Sequence, residues 1–382
     1  MKYHPMYVKY ILIISSFLLL LVSCRNRDEN KIEWYSAMSC PSNYIIEGPT
    51  IYYFNKGELI SSASTTTDIY GSWGFGDEAR NNGKMRMLPD SVSVNYGGLN
   101  NKLQMCNYEG GSILPYEKIK NLFKNGFIDY KEKKDFREIT TGMAPGGKIC
   151  VWIDFVEIKR FKIKEIKKYS DSLLISASKK EYVNAYNETL NYLTHHPINY
   201  STWEHPDARY DLDFGFCTLS NNVKFHNCYF NSKEGILLTH FRVGTEFTTW
   251  GIPYGQPITV LDYNSYSQYS EKIIVRDKKM NLPVDGVFEW IVDSTKFYST
   301  CVVMPKDLPQ RFTKTYINPK TGKKCNYNRI IFGVEKDGIH CIVWLDGPGK
   351  QEKIIRFKGL PERNDGDETV NPGGYATEVV YY

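Results

Sequence analysis

The apolar residues of this chain gather in short segments that are rich in β-branched and aromatic side chains. Gly, Asn and Pro flank these segments and favour turns, so the pattern predicts strands. Aromatic residues make up 14% of the sequence, including 29 Tyr, which strengthens this prediction. The predicted strands are Thr50–Phe54, Val92–Tyr96, Lys102–Asn107, Ile149–Phe155, Gly286–Val292, Lys296–Val303 and Ile339–Leu345, with a hairpin formed by Phe214–Leu219 and Val223–Phe230 around residues 220–222.

Few segments show helical spacing. Pro115 is followed by Ile119, Leu122 and Phe123, and Pro is tolerated in the first turn of a helix, so a short helix is predicted there. Residues 305–312 form a weaker counterpart, and apolar residues between 182 and 193 predict a longer helix that ends before Pro197. The expected fold class is α+β and mainly β: two tandem antiparallel-sheet domains, each with one short helix, and an inter-domain helix.

Residue blocks recur in the same order along the chain, at a separation that drifts only from about 176 to 196 residues. Any one match is trivial, but an ordered series indicates an internal duplication. Tyr96 and Lys102 match Trp290 and Lys296 within it. The other matches are Tyr53-Phe54-Asn55 with Tyr229-Phe230-Asn231, Trp73-Gly74 with Trp250-Gly251, Leu88-Pro89 with Leu282-Pro283, Leu114-Pro115 with Met304-Pro305, Trp152-Ile153-Asp154 with Trp344-Leu345-Asp346, and Arg160-Phe161-Lys162 with Arg356-Phe357-Lys358.

The large aromatic residues fall at matched positions in this duplication. Aromatic rings retained in both copies predict core positions, because each ring buries a large apolar area. The alternative is a glycan-stacking surface, which would use exposed Tyr side chains. The expected structural aromatics are Trp34 with Trp203, Trp73 with Trp250, Trp152 with Trp344, and Tyr96 with Trp290.

The N-terminus has the pattern of an export signal. Lys2 and Lys9 precede a 12-residue apolar run, Ile11–Val22, which is shorter than the ~20 residues of a bilayer-spanning helix. The run ends in Leu21-Val22-Ser23-Cys24, which resembles the lipobox of bacterial lipoproteins, so Cys24 is expected to carry lipid. A conventional signal peptide or an uncleaved anchor are the alternatives. An Asp directly after the lipidated cysteine favours retention in the inner membrane. Arg25 stands at this position instead, so we expect the outer membrane, and the sequence leaves open whether the protein is on its periplasmic face or its surface face.

These patterns together predict the organisation of the chain. We expect a lipoprotein signal peptide at 1–23, a tether at 24–31, the first domain copy at 32–162, a helical linker at 163–199, and the second copy with a C-terminal tail at 200–382.

The middle of each copy resembles the family catalogued as domain of unknown function 2931, a group of uncharacterised envelope lipoproteins. In the first copy Gln104 departs from the pattern, where an aromatic residue is expected. The resemblance implies an envelope lipoprotein and brings no activity or catalytic residue with it. Its carriers are Leu282-Pro283, Trp290, Ser294, Lys296, Phe297, Tyr298, Pro305 and Phe312, and in the first copy Leu88-Pro89, Tyr96, Lys102, Leu103, Pro115, Leu122 and Phe123.

The sequence offers little catalytic chemistry. The formal charge of +5 on 382 residues is too balanced to indicate nucleic-acid binding. Residues 142–148 approach a phosphate-binding loop, but Ile149 stands where Ser or Thr should hold Mg²⁺, so no nucleotide is expected. Between Cys24 and His195 there is no His, so we expect no catalytic triad, metal or cofactor in the first copy, although a site built only in the second copy stays open. Asp154 and Asp346 are matched carboxylates that suit either an acid/base pair or, more simply, strand-end turns.

Cysteine is the remaining candidate chemistry. Apart from Cys24, eight Cys remain, an even number in a chain expected to be exported. Cys106 and Cys150 in the first copy, and Cys301 and Cys341 in the second, suggest one disulfide per copy, with Cys217 and Cys228 as a further option. Free buried thiols are the alternative.

Three functions are compatible with these patterns. The first is a non-enzymatic envelope lipoprotein that binds an envelope protein or an incoming protein, for example in an immunity-type role. Duplicated domains permit two-point binding, which raises effective affinity. The second is a glycan-binding lipoprotein, and the third is a hydrolase that uses carboxylates alone. We expect the first, with a membrane contact through lipidated Cys24.

Overall fold

The computed structural model describes residues 31–65, 73–74, 83–129, 134–154, 156–168, 180–218, 222–235, 237–242, 279–361 and 374–382. The chain divides into two compact units, Met1–Leu190 and Asn191–Tyr382. Strands dominate both, and the mainly β fold class predicted from the sequence is confirmed. In the described part of the chain, no helix has the length and apolar character needed to cross a membrane.

The first unit contains two five-stranded sheets, with strand orders β11-β10-β9-β1-β4 and β12-β6-β5-β2-β3. Neighbouring strands run antiparallel except β1 and β9, which pair in parallel. A two-stranded ribbon, β7 with β8, lies outside both sheets. The strands are β1 (Ile32–Ser39), β2 (Glu47–Asn55), β3 (Glu58–Ser64), β4 (Lys84–Arg86), β5 (Ser91–Leu99), β6 (Met105–Ile113), β7 (Phe127–Asp129), β8 (Lys134–Asp135), β9 (Glu138–Ala144), β10 (Lys148–Ile153), β11 (Val156–Lys162) and β12 (Lys164–Lys168).

The core of this unit lies between its two sheets. Along β5, Val92, Val94 and Tyr96 point into the core, while Ser91 and Ser93 on the other face stay partly exposed. This is the alternation that a half-buried strand requires. Ile149 and Val151 of β10 enter the same core from the opposite sheet, so side chains from both sheets fill one apolar layer.

The second unit repeats this arrangement, with a five-stranded sheet β14-β22-β23-β24-β25 and a four-stranded sheet β16-β15-β18-β19. Two ribbons, β13 with β17 and β20 with β21, accompany them. The strands are β13 (Tyr210–Asp211), β14 (Asp213–Thr218), β15 (Val223–Ser232), β16 (Leu237–Arg242), β17 (Lys279–Met280), β18 (Pro283–Val292), β19 (Lys296–Val303), β20 (Tyr316–Ile317), β21 (Lys324–Cys325), β22 (Arg329–Val334), β23 (His340–Gly347), β24 (Lys350–Lys358) and β25 (Val379–Tyr381).

Strand order supports the duplication independently of residue matches. The run β11-β10-β9-β1 in the first unit corresponds to β24-β23-β22-β14 in the second, and β6-β5-β2-β3 corresponds to β19-β18-β15-β16. The exceptional parallel pair recurs as well, since β14 and β22 are parallel like β1 and β9. The two units therefore share one topology.

Helices lie close to where the sequence placed them. They are α1 (Tyr116–Asn125), α2 (Lys180–His195) and α3 (Leu308–Phe312), with a 3-10 helix at Tyr200–Trp203. The prediction of a helical linker over 163–199 was too broad, because residues 164–168 form strand β12, which pairs with β6. Lys and Glu in this segment are compatible with an exposed sheet edge, which charged side chains commonly protect.

The hairpin predicted around residues 220–222 is wrong. Strand β14 pairs with β22, whereas β15 pairs with β16 and β18 in the other sheet. The short connection therefore crosses between two sheets. Turn-forming residues mark a change of direction, but they do not determine which strands become neighbours.

Strand register also corrects two residue matches. Gly286 in the second unit occupies the position that Val92 has in the first. Tyr53 lies opposite Val92, and Phe230 lies opposite Gly286. Tyr53 therefore corresponds to Phe230 and not to Tyr229. Trp34 lies in β1, whereas Trp203 lies in the 3-10 helix ahead of β14, the counterpart of β1. These two Trp residues therefore occupy different places in their units.

Candidate functional site

The structure buries most of the aromatic residues singled out in the sequence. Trp34, Trp73, Tyr96, Trp152, Trp203 and Trp290 are buried. Trp344 is half-buried and packs against the core of the second unit, and Trp250 lies outside the described residues. These side chains act as core residues in their units and do not form an exposed platform.

Tyr96 and Trp290 occupy corresponding positions and make the same kind of bond. The Tyr96 hydroxyl donates to the Ala144 carbonyl at 2.6 Å, and the Trp290 indole N–H donates to the Gly338 carbonyl at 2.8 Å. Both acceptors lie at the connection between corresponding strands, β9–β10 and β22–β23. Each ring also stacks on its cross-strand partner, Tyr108 or Tyr298. These residues hold the two sheets of each unit together.

The glycine-rich segment 142–148 contains the end of β9, the turn at residues 145–147 and the first residue of the antiparallel strand β10. Gly146 and Gly147 have positive φ angles of 75°, a backbone conformation that favours glycine. A Cβ atom at Gly147 would lie 2.6 Å from the Ile163 carbonyl oxygen. The glycines are therefore required by the turn itself.

The structure shows no disulfide between the cysteines that it describes. Cys106, Cys150, Cys301 and Cys341 each lack a disulfide bond, so the expected pairs are not found. Cys106 faces the core of the first unit, whereas Cys150 alternates with the core residues Ile149 and Val151 and so faces the other way.

The second unit shows the same opposition. Cys341 belongs to its core, and Cys301 lies next to the core residue Val302 and faces the other side of the sheet. Side chains on opposite faces cannot reach the short Cβ separation that a disulfide needs. Cys217 lies on β14 and Cys228 on β15, in different sheets, and their side chains lie outside the described part of the chain.

Asp154 and Asp346 have structural surroundings. Asp154 Oδ2 accepts the backbone N–H groups of Arg137 at 3.0 Å and Glu138 at 3.3 Å. Asp346 Oδ2 lies 3.5 Å from the Arg329 guanidinium. Both carboxylates thus satisfy groups of their own unit at the end of a strand.

The most unusual chemistry lies in the second unit, on the face of β18 that points away from the core. Asp285 is the third residue of β18, between Val284 and Gly286, and its side chain is only 1% exposed. His196 directly follows α2. Its ring lies over Asp285, with Nε2 at 3.2 Å from Asp285 Oδ2. We call His196 and Asp285 the buried pair.

Neighbouring strands and the C-terminal segment complete the site. Asn231, opposite Asp285 on β15, donates from Nδ2 to Asp285 Oδ1 at 2.8 Å. The ring of Tyr192 stacks on His196 with centroids 4.2 Å apart, and Tyr375 stacks on His195 at 3.7 Å. The Tyr375 hydroxyl also lies 3.5 Å from His196 Nδ1. Tyr192 therefore covers the His196 ring, and Tyr375 lies beside that ring at a centroid distance of 5.9 Å.

Burial shifts both members of the pair toward their neutral forms. It raises the pKa of Asp285 to about 6, although hydrogen bonds from Asn231 and Tyr192 oppose this effect. Burial lowers the pKa of His196 to about 4, although the backbone carbonyls of Tyr192 and Val284 favour the protonated ring and oppose this effect. Burial also raises the pKa of the nearby Cys301 thiol, and the negative charge of Asp285 raises this pKa further. Cys301 therefore stays a thiol and is a poor nucleophile.

The ring nitrogens of His196 are both turned toward groups of the protein. Nδ1 lies 3.2 Å from the Tyr192 carbonyl oxygen, and Nε2 faces Asp285. A general base needs a ring nitrogen within hydrogen-bond reach of a substrate proton. This geometry suits a buried structural pair better than a catalytic dyad.

Sequence analysis used His195 only as the end of a stretch without His, and it gave no role to His196, Asp285 or Asn231. The available signal was a carboxylate within an apolar strand, Val284-Asp285-Gly286-Val287, because a buried charge needs a partner. The first unit has Ser91 at the position of Asp285, because Ser91 pairs with Ile113 and Asp285 pairs with Val303, and each partner lies two residues before the matched Pro. The buried pair thus has its carboxylate in the second unit only.

One group of three side chains in the described residues offers metal-type ligands within 4.8 Å of one another: Glu335, Asp337 and His340. Arg356 donates twice to Glu335, at 3.0 and 2.8 Å, and His340 Nδ1 lies 2.5 Å from Asp337 Oδ2. Asp337 Oδ1 accepts the backbone N–H of Ile339. Since the guanidinium already neutralises Glu335, this group is best described as an ion-pair network at a turn.

A family model described as Protein of unknown function (DUF2931) matches residues 23–204 and 243–378, in agreement with tandem copies of a domain. No curated protein and no solved structure matches the chain.

Proposed function

For this chain, which belongs to the DUF2931 family of proteins of unknown function, we propose a role as a lipid-anchored binding protein of the cell envelope. The proposal has two parts, the anchor and the binding role. Each part rests on its own observation and has its own test.

The anchor rests on Cys24. An apolar run leads directly into Leu21-Val22-Ser23-Cys24, and the family match begins at residue 23, so it includes this cysteine. Acyl chains at a single cysteine hold a protein on a membrane when two or more are present. The described residues begin only a few positions later, with β1 at Ile32, so a short tether would hold the first unit near the membrane.

The anchor makes a direct prediction for Cys24→Ser. Removing the thiol removes the acceptor of the lipid, so the variant should move from the detergent phase to the aqueous phase in Triton X-114 partition, or stay uncleaved. Mass spectrometry of the N-terminal peptide should find acyl chains on Cys24 in the wild type. Cys325→Ser is the matched control, because Cys325 is a partly exposed free thiol that should not affect partition. An unacylated N-terminal peptide in the wild type would contradict the anchor.

The binding role rests on the repeated topology of the two units. Two sister domains on one tether can engage a partner at two points, and the second contact then forms at a high effective concentration. The geometry of the buried pair supports a role without catalysis, since both nitrogens of His196 face the protein. We propose that the partner is an envelope protein or an incoming protein, with an immunity-type role as one form of it.

Cross-linking in intact cells, followed by purification of the full chain from detergent-solubilised membranes, tests this role. The expected result is a stoichiometric partner, cross-linked to both units. The Cys24→Ser variant is the control for localisation, because loss of the partner in that variant alone would show that binding needs the anchor. Recovery of the full chain without any stoichiometric protein would count against the proposal.

Glycan binding is the second candidate, and Tyr52 favours it. Its side chain is 40% exposed on the outer face of β2, next to Ser62 on β3 and Ser93 on β5. An aromatic ring among small polar groups suits a sugar face. A Tyr52→Ala variant that loses binding on a polysaccharide array, with Phe297→Ala unchanged, would move this candidate ahead of protein binding.

A further inference from the structure

We propose that His196 and Asp285 share one proton and form a pH-compensated clasp, which holds residues 192–196 on the outer face of β18. By pH-compensated we mean that the folded and unfolded forms hold the same number of protons on this pair across mildly acidic pH. The inference goes beyond the proposed binding role and does not depend on it.

The geometry favours a proton between the two side chains. His196 Nδ1 lies 3.2 Å from the Tyr192 carbonyl oxygen, which can only accept, and 3.5 Å from the Tyr375 hydroxyl, which can donate or accept, so the nearer carbonyl favours a hydrogen on Nδ1. In a neutral ring, Nε2 is then an acceptor, and it lies 3.2 Å from Asp285 Oδ2. Two acceptors at this distance repel unless one proton lies between them. Neither Nε2 nor Oδ2 makes another hydrogen bond of good geometry, and the Val284 carbonyl is the other acceptor close to the His196 ring.

The other titratable groups around the pair do not replace that proton. Tyr192 hydrogen-bonds to Asp285, and Tyr375 from the C-terminal segment interacts with Cys301 on β19. His195 carries its ring on the exposed side, stacked on Tyr375. Glu289, further along β18, accepts a hydrogen bond from Ser299 at 3.3 Å. Among these described groups around the site, the close contact between a His ring and a carboxylate is the one between His196 and Asp285.

Linkage between protonation and folding gives the clasp its pH behaviour. The ordinary pKa values are 3.8 for Asp and 6.5 for His, and in the folded unit they become about 6 and about 4. Between about pH 4 and 6 the unfolded chain therefore holds one proton, on His196, and the folded pair also holds one. Because stability changes with pH only when the two forms bind different numbers of protons, the contributions of the pair cancel.

Removing either partner should reveal how protonation of the other makes the stability of the fold depend on pH. In Asp285→Asn, His196 has a folded pKa below its unfolded value, so the folded form binds fewer protons and stability falls as pH falls from 6.5 to 4. In His196→Gln, Asp285 has a folded pKa above its unfolded value, so stability is highest at low pH and is lost as pH rises from about 4 to 6. The two slopes have opposite signs.

Hydrogen exchange of the full chain measures these slopes within the second unit. Protection of β18 amides, taken relative to unstructured rates at the same pH, should be nearly constant for the wild type between pH 4 and 6. In each single variant, the protection factor of the β18 amides should approach a tenfold change per pH unit, because one proton is linked to the local unfolding that permits exchange. The change should have opposite directions in the two variants. The double variant Asp285→Asn/His196→Gln should again be flat.

Two controls separate the clasp from general charge effects. Amides of β5 in the first unit should respond alike in all variants. Asp337→Asn alters the exposed His340–Asp337 pair and should leave the β18 slope unchanged. The proposal is overturned if both single variants follow the wild-type profile, or if both slopes have the same sign. The substituted Asn and Gln side chains retain hydrogen-bonding groups at both positions. If one single variant does not fold, the β18 slope of the other single variant is compared with that of the double variant. Equal slopes in these two variants would then overturn the proposal.

Discussion

At the scale of single residues, the two units solve one packing problem with different side chains. Tyr96 and Trp290 are both fully buried, both stack on the adjacent strand, and both donate to a carbonyl at a strand connection. The sequence match between them was visible because both are large and aromatic. The bond that each one makes was not visible, because the acceptors Ala144 and Gly338 are far away along the chain.

This role of Tyr96 leads to a residue-scale prediction. Tyr96→Phe keeps the ring but leaves the buried Ala144 carbonyl without this donor, so the free energy of unfolding should fall by about 1–3 kcal/mol. Urea unfolding of the full chain measures the loss. Tyr52→Phe is the matched control, since the Tyr52 side chain is 40% exposed and water can replace its hydroxyl contacts. Equal losses in the two variants would contradict the structural role of the Tyr96 hydroxyl.

At the scale of strands and helices, alternation along each strand was the most reliable signal. Val92, Val94 and Tyr96 share a face because side chains alternate along any strand, whatever its neighbours are. Helix α1 was predictable for the same local reason, with Ile119 and Phe123 buried at helical spacing. The connection after β14 was not predictable, because pairing with β22 depends on residues more than a hundred positions away.

The end of β10 gives a prediction at this scale. Asp154 has a positive φ of 48° and accepts the N–H groups of Arg137 and Glu138. Asp154→Ala should lower the free energy of unfolding by roughly 2 kcal/mol, because two backbone donors lose their acceptor. Asp154→Asn should lose less, since Asn keeps an acceptor oxygen and tolerates this backbone conformation.

Asp346→Ala is the matched control for Asp154, as it removes a contact with Arg329 at 3.5 Å. The loss there should stay below about 1 kcal/mol, the usual range for partly exposed ion pairs. Both variants should keep the partner binding that the proposed function requires. If Asp154→Ala were as stable as the wild type, its role in ending β10 would have to be abandoned.

At the scale of the whole molecule, the distribution of cysteines over opposite faces decides the redox chemistry. Cys106 and Cys341 point into their cores, and Cys150 and Cys301 point to the outer faces. Even numbers of cysteine in an exported chain favour disulfides in general. Here the fold separates the partners that sequence reasoning had paired.

Alkylation tests this arrangement. Iodoacetamide, added after denaturation without reductant, should modify Cys106, Cys150, Cys301 and Cys341 fully, because the structure shows no disulfide at these four positions. The thermal midpoint of the full chain should be the same with and without reductant. Prior reduction provides the control for complete labelling. Peptides that become alkylated only after reduction would show a disulfide at those positions.

The sequence by itself determined the features that depend on short stretches of chain. These are the export pattern up to Cys24, the alternation of the strands, the short helices and the ordered repeat of aromatic and Pro-containing blocks. Only the tertiary structure decided which strands become neighbours, which face each cysteine occupies, and that His196 comes to lie on Asp285. The physical reason is that side-chain direction follows from local backbone geometry, whereas contacts between sheets form when distant segments bury their apolar faces together.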